Sequence, residues 1–192
     1  MTTSNGRGRV GVAIMAALMV LVLGLGLAAA SARADSQDER RVRTGARVFR
    51  TLLLADVALE RKAASDGTLD IAIYAGDGAG LDELTPLIQP AGNTRAPQMA
   101  LRRVEQLGED TRPPIGLFLA TPLVGSELDR LIAWSIRHGV ILYSPFEGDV
   151  ERGATAGLSI EAKVLPFVNQ RTLDASGVEL KPFFLKVAKV HR

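Results

Sequence analysis

The stretch SELDRLIAWSIRHGVILYSPFEGDVERG, residues 126–153, contains a helix, a strand and an acidic turn in immediate succession. Apolar or small side chains recur at helical spacing in its first half, which predicts an α-helix from Ser126 to His138. These side chains are Leu128, Leu131, Ile132, Ser135 and Ile136. Ser126 and Asp129 predict a capping box at the start of this helix, and a glycine follows its end. The apolar run Val140–Tyr143 then predicts a buried strand. A helix that leads directly into a buried strand is typical of α/β proteins.

The same alternation extends to both sides of this stretch. Strands are predicted at residues 68–75, 98–104 and 115–120, and two extended segments at 157–169 flank Glu161–Lys163. Helices are predicted from Ala46 to about Lys62, over 173–176, and from Leu180 to the C-terminus. The sequence therefore predicts one compact α/β domain over residues 46–192. Its sheet is expected to be mostly parallel, with helices on both faces and an antiparallel strand pair near the C-terminus.

The N-terminus has the pattern of a secretory signal peptide. Arg7 and Arg9 precede an uncharged apolar run, and Ala32-Arg33-Ala34 resembles a cleavage site. The run is long enough to span a bilayer, so a retained anchor is the alternative. We expect export by the Sec route, cleavage after Ala34 and a periplasmic product, with membrane contact only through residues 1–34. The polar segment 35–45 is expected to be a flexible tail.

The charge balance changes when residues 1–34 are removed. The whole chain has 23 basic and 21 acidic residues, and the signal takes three arginines and no acid with it. The formal charge therefore moves from +2 to −1, which leaves no electrostatic signature of nucleic-acid binding. The chain has no cysteine, which excludes disulfides and cysteine-ligated metals.

A search for catalytic patterns finds none that is complete. A predicted strand is followed by Gly76-Asp77-Gly78-Ala79-Gly80, which is similar to the start of a dinucleotide-binding fingerprint. The last glycine of that fingerprint would fall at position 81, where this chain has leucine. The two histidines, His138 and His191, stand at predicted helix ends without a partner at metal-ligand spacing. No nucleophile elbow and no phosphate-binding loop motif is present. The sequence therefore predicts a non-enzymatic protein without cofactor or metal.

The acidic turn, residues 144–153 (SPFEGDVERG), is the best candidate for a functional site. Its three carboxylates suggest a calcium site, but intervening residues break any EF-hand frame, so a solvated turn is the alternative. Catalytic carboxylates and a phosphate-binding turn have less support, because the chain lacks sugar-stacking aromatics and a phosphate-loop motif. We predict that the turn recognises a partner or ligand through Phe146, Glu147, Gly148, Asp149, Glu151 and Arg152.

The C-terminal half resembles a known family. In residues 139–190, a buried strand leads to a turn, two strands, a short helix, a glycine and a final segment LKVAKV. These features resemble the motifs of the YfiR/HmsC-like family of periplasmic proteins. The matching positions are Phe167 with Asn169, Gly177, and residues 184–190. The opening helix near Arg47 and the strand at 68–76 also resemble that family. The chain is similar to a divergent subgroup of it.

The resemblance implies a periplasmic α/β domain of a kind that is often dimeric. Some members bind the periplasmic part of an inner-membrane diguanylate cyclase and restrain it, which controls cyclic-di-GMP and biofilm formation. We therefore expect a regulator that binds an inner-membrane sensor or cyclase, with an exposed apolar patch for docking. The alternative is a periplasmic small-ligand-binding protein, similar to one lobe of a solute receptor. Its pocket is expected at the carboxyl ends of the strands, lined by residues 144–153.

Overall fold

The computed structural model describes residues 36–75, 81–89, 97–108 and 112–192 of the chain. The predicted signal peptide and the glycine-rich segment 76–80 lie outside these ranges. Within the described ranges, no helix is both long and apolar enough to span a membrane. Residues 40–192 form one compact unit, and residues 36–39, which fall outside that unit, are helical.

Helices and strands alternate through most of the chain. The strands are β1 Leu69–Tyr74, β2 Met99–Val104, β3 Gly116–Leu119, β4 Ile141–Ser144, β5 Ala156–Ile160, β6 Val164–Asn169 and β7 Lys189–His191. The helices are α1 (36–54), α2 Leu59–Lys62, α3 Leu81–Ile88, α4 Ser126–His138, α5 Asp149–Arg152, α6 Gln170–Ser176 and α7 Pro182–Val187. The bounds of α4 match its prediction from the periodicity.

The described strands form one mixed sheet in the order β2-β1-β3-β4-β5-β6-β7. Strands β1 to β5 pair in parallel, β6 pairs antiparallel with β5, and β7 pairs parallel with β6. This confirms the predicted α/β class with a mostly parallel sheet and an antiparallel pair near the C-terminus.

One face of the sheet packs against α1. Phe118 of β3 and Tyr143 of β4 are paired in register, and the ring of Phe49 from α1 lies 5.4 Å from each of theirs. The close approach of α1 requires glycine at position 116, because a Cβ there would lie 2.6 Å from the side chain of Leu53.

The opposite face of the sheet packs against α4. Ile73 pairs with Phe118 and so lies on the α1 face, which directs the next residue, Tyr74, to the other side. The Tyr74 hydroxyl donates a hydrogen bond to Glu127 of α4. Helices therefore cover both faces, as predicted.

The segment predicted as a flexible tail is part of a helix. Residues 36–45 are helical and form the first part of α1, which corrects the prediction of a flexible tail for these residues. Val42, Ala46 and Phe49 are all buried and lie at helical spacing, so the apolar stripe begins before Ala46. The high density of charged residues around Val42 hid that stripe in the sequence.

The predicted first helix is also interrupted before Lys62. The backbone of Asp56 makes an isolated bridge with Leu180, and α2 begins only at Leu59. The buried Asp56 carboxylate accepts hydrogen bonds of 2.8 Å from Ala58 N and from Lys62 Nζ. This contact with the C-terminal part of the chain ends the helix that the local pattern would continue.

The predicted C-terminal helix is shorter than expected. It ends at Val187, Ala188 is extended, and β7 follows in parallel with β6. The edge of β6 offers hydrogen-bonding partners, and these outweigh a helical pattern of only a few turns. Of the aromatic pair in α7, Phe184 is buried and Phe183 is exposed.

Candidate functional site

The acidic turn is held to the body of the domain by its own polar side chains. The hydroxyl of buried Ser144, the last residue of β4, accepts a hydrogen bond from Phe146 N–H at 3.2 Å. The same hydroxyl donates to the carboxylate of Asp149, the first residue of α5. Burial raises the pKa of Asp149, and the hydrogen bond from Ser144 opposes that rise. Asp149 is therefore directed inwards, and Phe146 is buried.

The far end of the turn is fastened to α4. Arg152 forms two hydrogen bonds of 2.8 Å to the two carboxylate oxygens of Asp129 and a third to the carbonyl oxygen of Gly125. The bond from Arg152 lowers the pKa of Asp129. Asp129 is therefore not the partner of Ser126 in a capping box, which corrects that prediction: Gly125 is the N-cap, and no side chain caps the helix there.

The backbone of α5 is fixed from β6 and α6. The amide of buried Asn169 donates to the carbonyl oxygen of Val150 at 2.7 Å and accepts from Thr172 N–H at 3.1 Å. One side chain thus holds α5 and caps α6. Gly157 lies beneath α5, where a Cβ would be 2.3 Å from the carbonyl oxygen of Ser144. The two hydrogen bonds of Asn169 give this residue a structural role within the segment that carries the family resemblance.

Two of the six predicted site residues remain available on the surface of the turn. Gly148 has a positive φ of 86° and caps α5, so its role is conformational. The Glu147 side chain is 87% exposed although it accepts a 3.0 Å bond from Arg41 of α1, and Glu151 is also exposed. The three carboxylates of the turn therefore do not converge. In the described part of the chain, no group of acidic or histidine side chains is arranged to hold a metal ion.

A cleft of about 540 Å³ lies elsewhere, between α4 and the carboxyl ends of β1 and β2. We call it the α4 cleft. It is lined by Tyr74, Gln106, Leu107, Gly108, Glu127, Arg130, Leu131, Ala133, Trp134 and Arg137. No residue of the acidic turn is part of this lining. The receptor alternative expects a pocket lined by residues 144–153, after the carboxyl end of β4, whereas the α4 cleft lies at the carboxyl ends of β1 and β2 and is lined by other residues.

The α4 cleft combines charge with an apolar wall. Glu127, Arg130, Trp134 and Arg137 follow one another at helical spacing along α4. Trp134 is buried, and its ring lies 4.6 Å from that of His138. Burial and the hydrogen bond to Glu127 raise the pKa of Tyr74 to about 12, so its phenol stays protonated at neutral pH.

Sequence reasoning did not identify the α4 cleft. The available signal was a row of charged residues around the only tryptophan of the chain, on the side of α4 away from Leu128 and Ile132. That row has a functional meaning only when Tyr74 and residues 106–108 lie opposite it, and no local pattern predicts this.

Comparisons with known proteins were made against protein-family models and against curated proteins. No family model matches this chain, and no curated protein does.

Proposed function

We propose that this protein is a non-enzymatic periplasmic regulator that binds an inner-membrane signalling protein, a diguanylate cyclase or a related sensor, and modulates its activity. The resemblance of residues 139–190 to the YfiR/HmsC-like family motivates the proposal. The observation that carries it is a set of exposed apolar side chains at the end of the β5–β6 hairpin.

The β5–β6 hairpin is longer than the neighbouring strands β4 and β7 that pair with it. Strand β5 pairs with β4 only at Ala156 and Gly157, and β6 pairs with β7 only from Phe167 onwards. The three pairs from Leu158↔Pro166 to Ile160↔Val164 have no further strand beside them in the described part of the chain. Three residues of strand correspond to roughly 10 Å. We call residues 158–166 the hairpin end.

The hairpin end exposes apolar side chains to solvent. Ile160 and Val164 are paired with each other and are 45% and 49% exposed, and Leu165 is 38% exposed. In α7, Phe183 and Val187 are four positions apart, on the same side of the helix, and only Phe183 at 59% and Val187 at 57% are exposed there as large apolar side chains. Apolar groups concentrated in this way are typical of protein-binding surfaces.

The two apolar regions lie at the same edge of the sheet. Phe167 pairs with Lys189, so the register brings the start of β6 level with the end of α7. Lys189 also forms a 2.7 Å ion pair with Glu161 at the hairpin tip. A periplasmic segment of a membrane protein that binds this edge would bury apolar surface and meet charges of both signs.

Binding of this kind regulates by shifting a conformational equilibrium. If the regulator binds one state of the membrane protein more tightly, that state becomes more populated. The change then reaches the cytoplasmic domain although no ligand crosses the membrane. The proposal requires no catalytic residue in this chain. It requires export, which residues 1–34 would direct.

Deletion of the gene in its own host tests the proposal, with cellular cyclic-di-GMP and biofilm mass as readouts. We expect the deletion to change both several-fold, and the intact chain to restore them. The double variant Ile160→Ser/Val164→Ser should not restore them, whereas Val124→Ser, which changes a residue that is 80% exposed at another site, should do so. A chain without residues 1–34 should also fail.

Two results would contradict the proposal. The first is a deletion that leaves cyclic-di-GMP and biofilm unchanged. The second is full complementation by the double variant, which would exclude the hairpin end as the docking surface. The competing occupant of this edge is a second copy of the chain, and light scattering on the purified proteins tests for it. If the intact chain is a dimer and the double variant is a monomer, the edge is assigned to the dimer interface.

A further inference from the structure

We infer that the α4 cleft binds a small organic anion, with an apolar body and one carboxylate or phosphate group. The inference is independent of the proposed docking function, because none of the residues of the hairpin end lines the cleft.

The position of the cleft is the first argument. The chain passes from β1 to β2 on one side and then returns to β3 on the other, so the strand order reverses between β1 and β3. Open α/β sheets bind ligands outside the carboxyl ends of the strands at such a reversal. Tyr74 is the last residue of β1, and α4 is the helix that follows β3. The α4 cleft lies beside this reversal, at the carboxyl ends of β1 and β2 and against the helix that follows β3.

The size and wall of the cleft are the second argument. Its volume of about 540 Å³ is within the range of small-molecule sites, roughly 300–1,000 Å³. Trp134, Leu131 and Leu107 supply apolar surface for the body of a ligand. Trp134 is buried and also contacts the ring of His138, so most of its surface is packed within the domain.

The charge of the cleft selects an anion. Two arginines and one glutamate line it. The carboxylate of Glu127 accepts the hydrogen bond from Tyr74, and Nε of Arg130 donates to the carbonyl oxygen of Ser126. Arg137 is exposed in the last turn of α4 and lines the cleft, and its guanidinium can offer two parallel donors to a carboxylate or phosphate.

The only tryptophan of the chain makes the inference directly measurable. We would titrate the purified protein with benzoate, with phenyl phosphate and with uncharged benzamide, and follow the fluorescence of Trp134. We expect a saturable change with at least one of the two anions. Benzamide should bind about tenfold more weakly or not at all, since it lacks the charge that Arg137 would pair with.

Arg137→Gln should weaken binding of that anion about tenfold, and Arg137→Lys should lose less than Arg137→Gln because it keeps the charge. Arg171→Gln, at an exposed arginine of α6, is the matched control and should bind like the unchanged protein. Each variant is checked for an unchanged melting temperature without ligand. The inference is overturned if neither anion gives a saturable change up to millimolar concentration, or if Arg137→Gln binds the anion as tightly as the unchanged chain.

Discussion

The acidic turn and the α4 cleft show opposite relations between sequence and site. The turn concentrates three carboxylates in five residues, yet the fold uses much of its polar chemistry internally: Asp149 bonds to Ser144, and Arg152 bonds to Asp129. The cleft has no motif, and the two residues of its Tyr74–Glu127 hydrogen bond are 53 positions apart. A dense polar motif next to a buried strand can thus serve as a fastening, whereas dispersed residues form the cavity.

Gly157→Ala gives the largest expected effect and tests whether the turn is structural. The added Cβ would lie 2.3 Å from the carbonyl oxygen of Ser144 and 2.7 Å from the side chain of Val150, so β4 and α5 would both have to move away from β5. We expect a loss of about 3 kcal/mol in the free energy of unfolding, measured by urea denaturation. Gly67→Ala is the control: it has a positive φ but no atom within 4 Å, and should lose only about 1 kcal/mol. Equal losses would show that the contact beneath α5 does not matter.

Asn169→Ala should have the next largest effect. It removes the bond to the carbonyl oxygen of Val150 and the cap of α6, and leaves a buried carbonyl oxygen without that partner. We expect a loss of about 2 kcal/mol in unfolding free energy. Gln170→Ala, beside it but at a partly exposed position, should change stability by less than about 0.5 kcal/mol. A loss at Asn169 no larger than this would mean that the turn is not held from β6.

The titration of Tyr74 tests the environment that the structure shows at the α4 cleft. The chain has two tyrosines, and burial raises the pKa of both, to about 12 for Tyr74 and well above its ordinary value for Tyr143. The folded protein should therefore show little tyrosinate absorbance at pH 11, whereas the urea-unfolded chain should ionise near pH 10. Because the folded pKa is the higher one, the stability from this bond is complete below pH 10 and is lost as the pH rises towards 12.

Tyr74→Phe removes the bond to Glu127 and should cost about 1 kcal/mol at pH 7. It should also remove the part of the absorbance change near pH 12 in the folded protein. A native protein that ionises one tyrosine near pH 10 would contradict the enclosed environment that we assign to this end of the cleft.

Glu147→Gln should have the smallest effect. Its side chain is 87% exposed, and an ion pair this open to solvent contributes little, so we expect a change below about 0.5 kcal/mol in unfolding free energy. Glu151→Gln should give the same result. A loss above 1 kcal/mol at Glu147 would make it part of the fastening rather than a surface carboxylate available to a partner.

Prediction from sequence succeeded where one element decides its own conformation. The bounds of α4 and the buried strands β3 and β4 follow from periodicity and apolar runs. It was wrong where two distant segments compete for the same backbone. The pattern after Leu180 is helical, but Lys189–His191 pairs with β6, and the helix near Val57 stops where Asp56 meets Leu180. The charged residues before Ala46 hid the part of α1 that contacts the turn through Arg41.

The sequence by itself determined the class of the fold, because the periods of buried side chains in helices and strands are local properties of the chain. It also determined that no complete catalytic motif is present. The direction of each polar side chain was decided only by the tertiary structure, since a carboxylate such as Asp149 turns inwards when a buried hydroxyl lies within reach. The α4 cleft and the hairpin end depend in the same way on strand order and register, which arise from contacts between residues far apart in the chain.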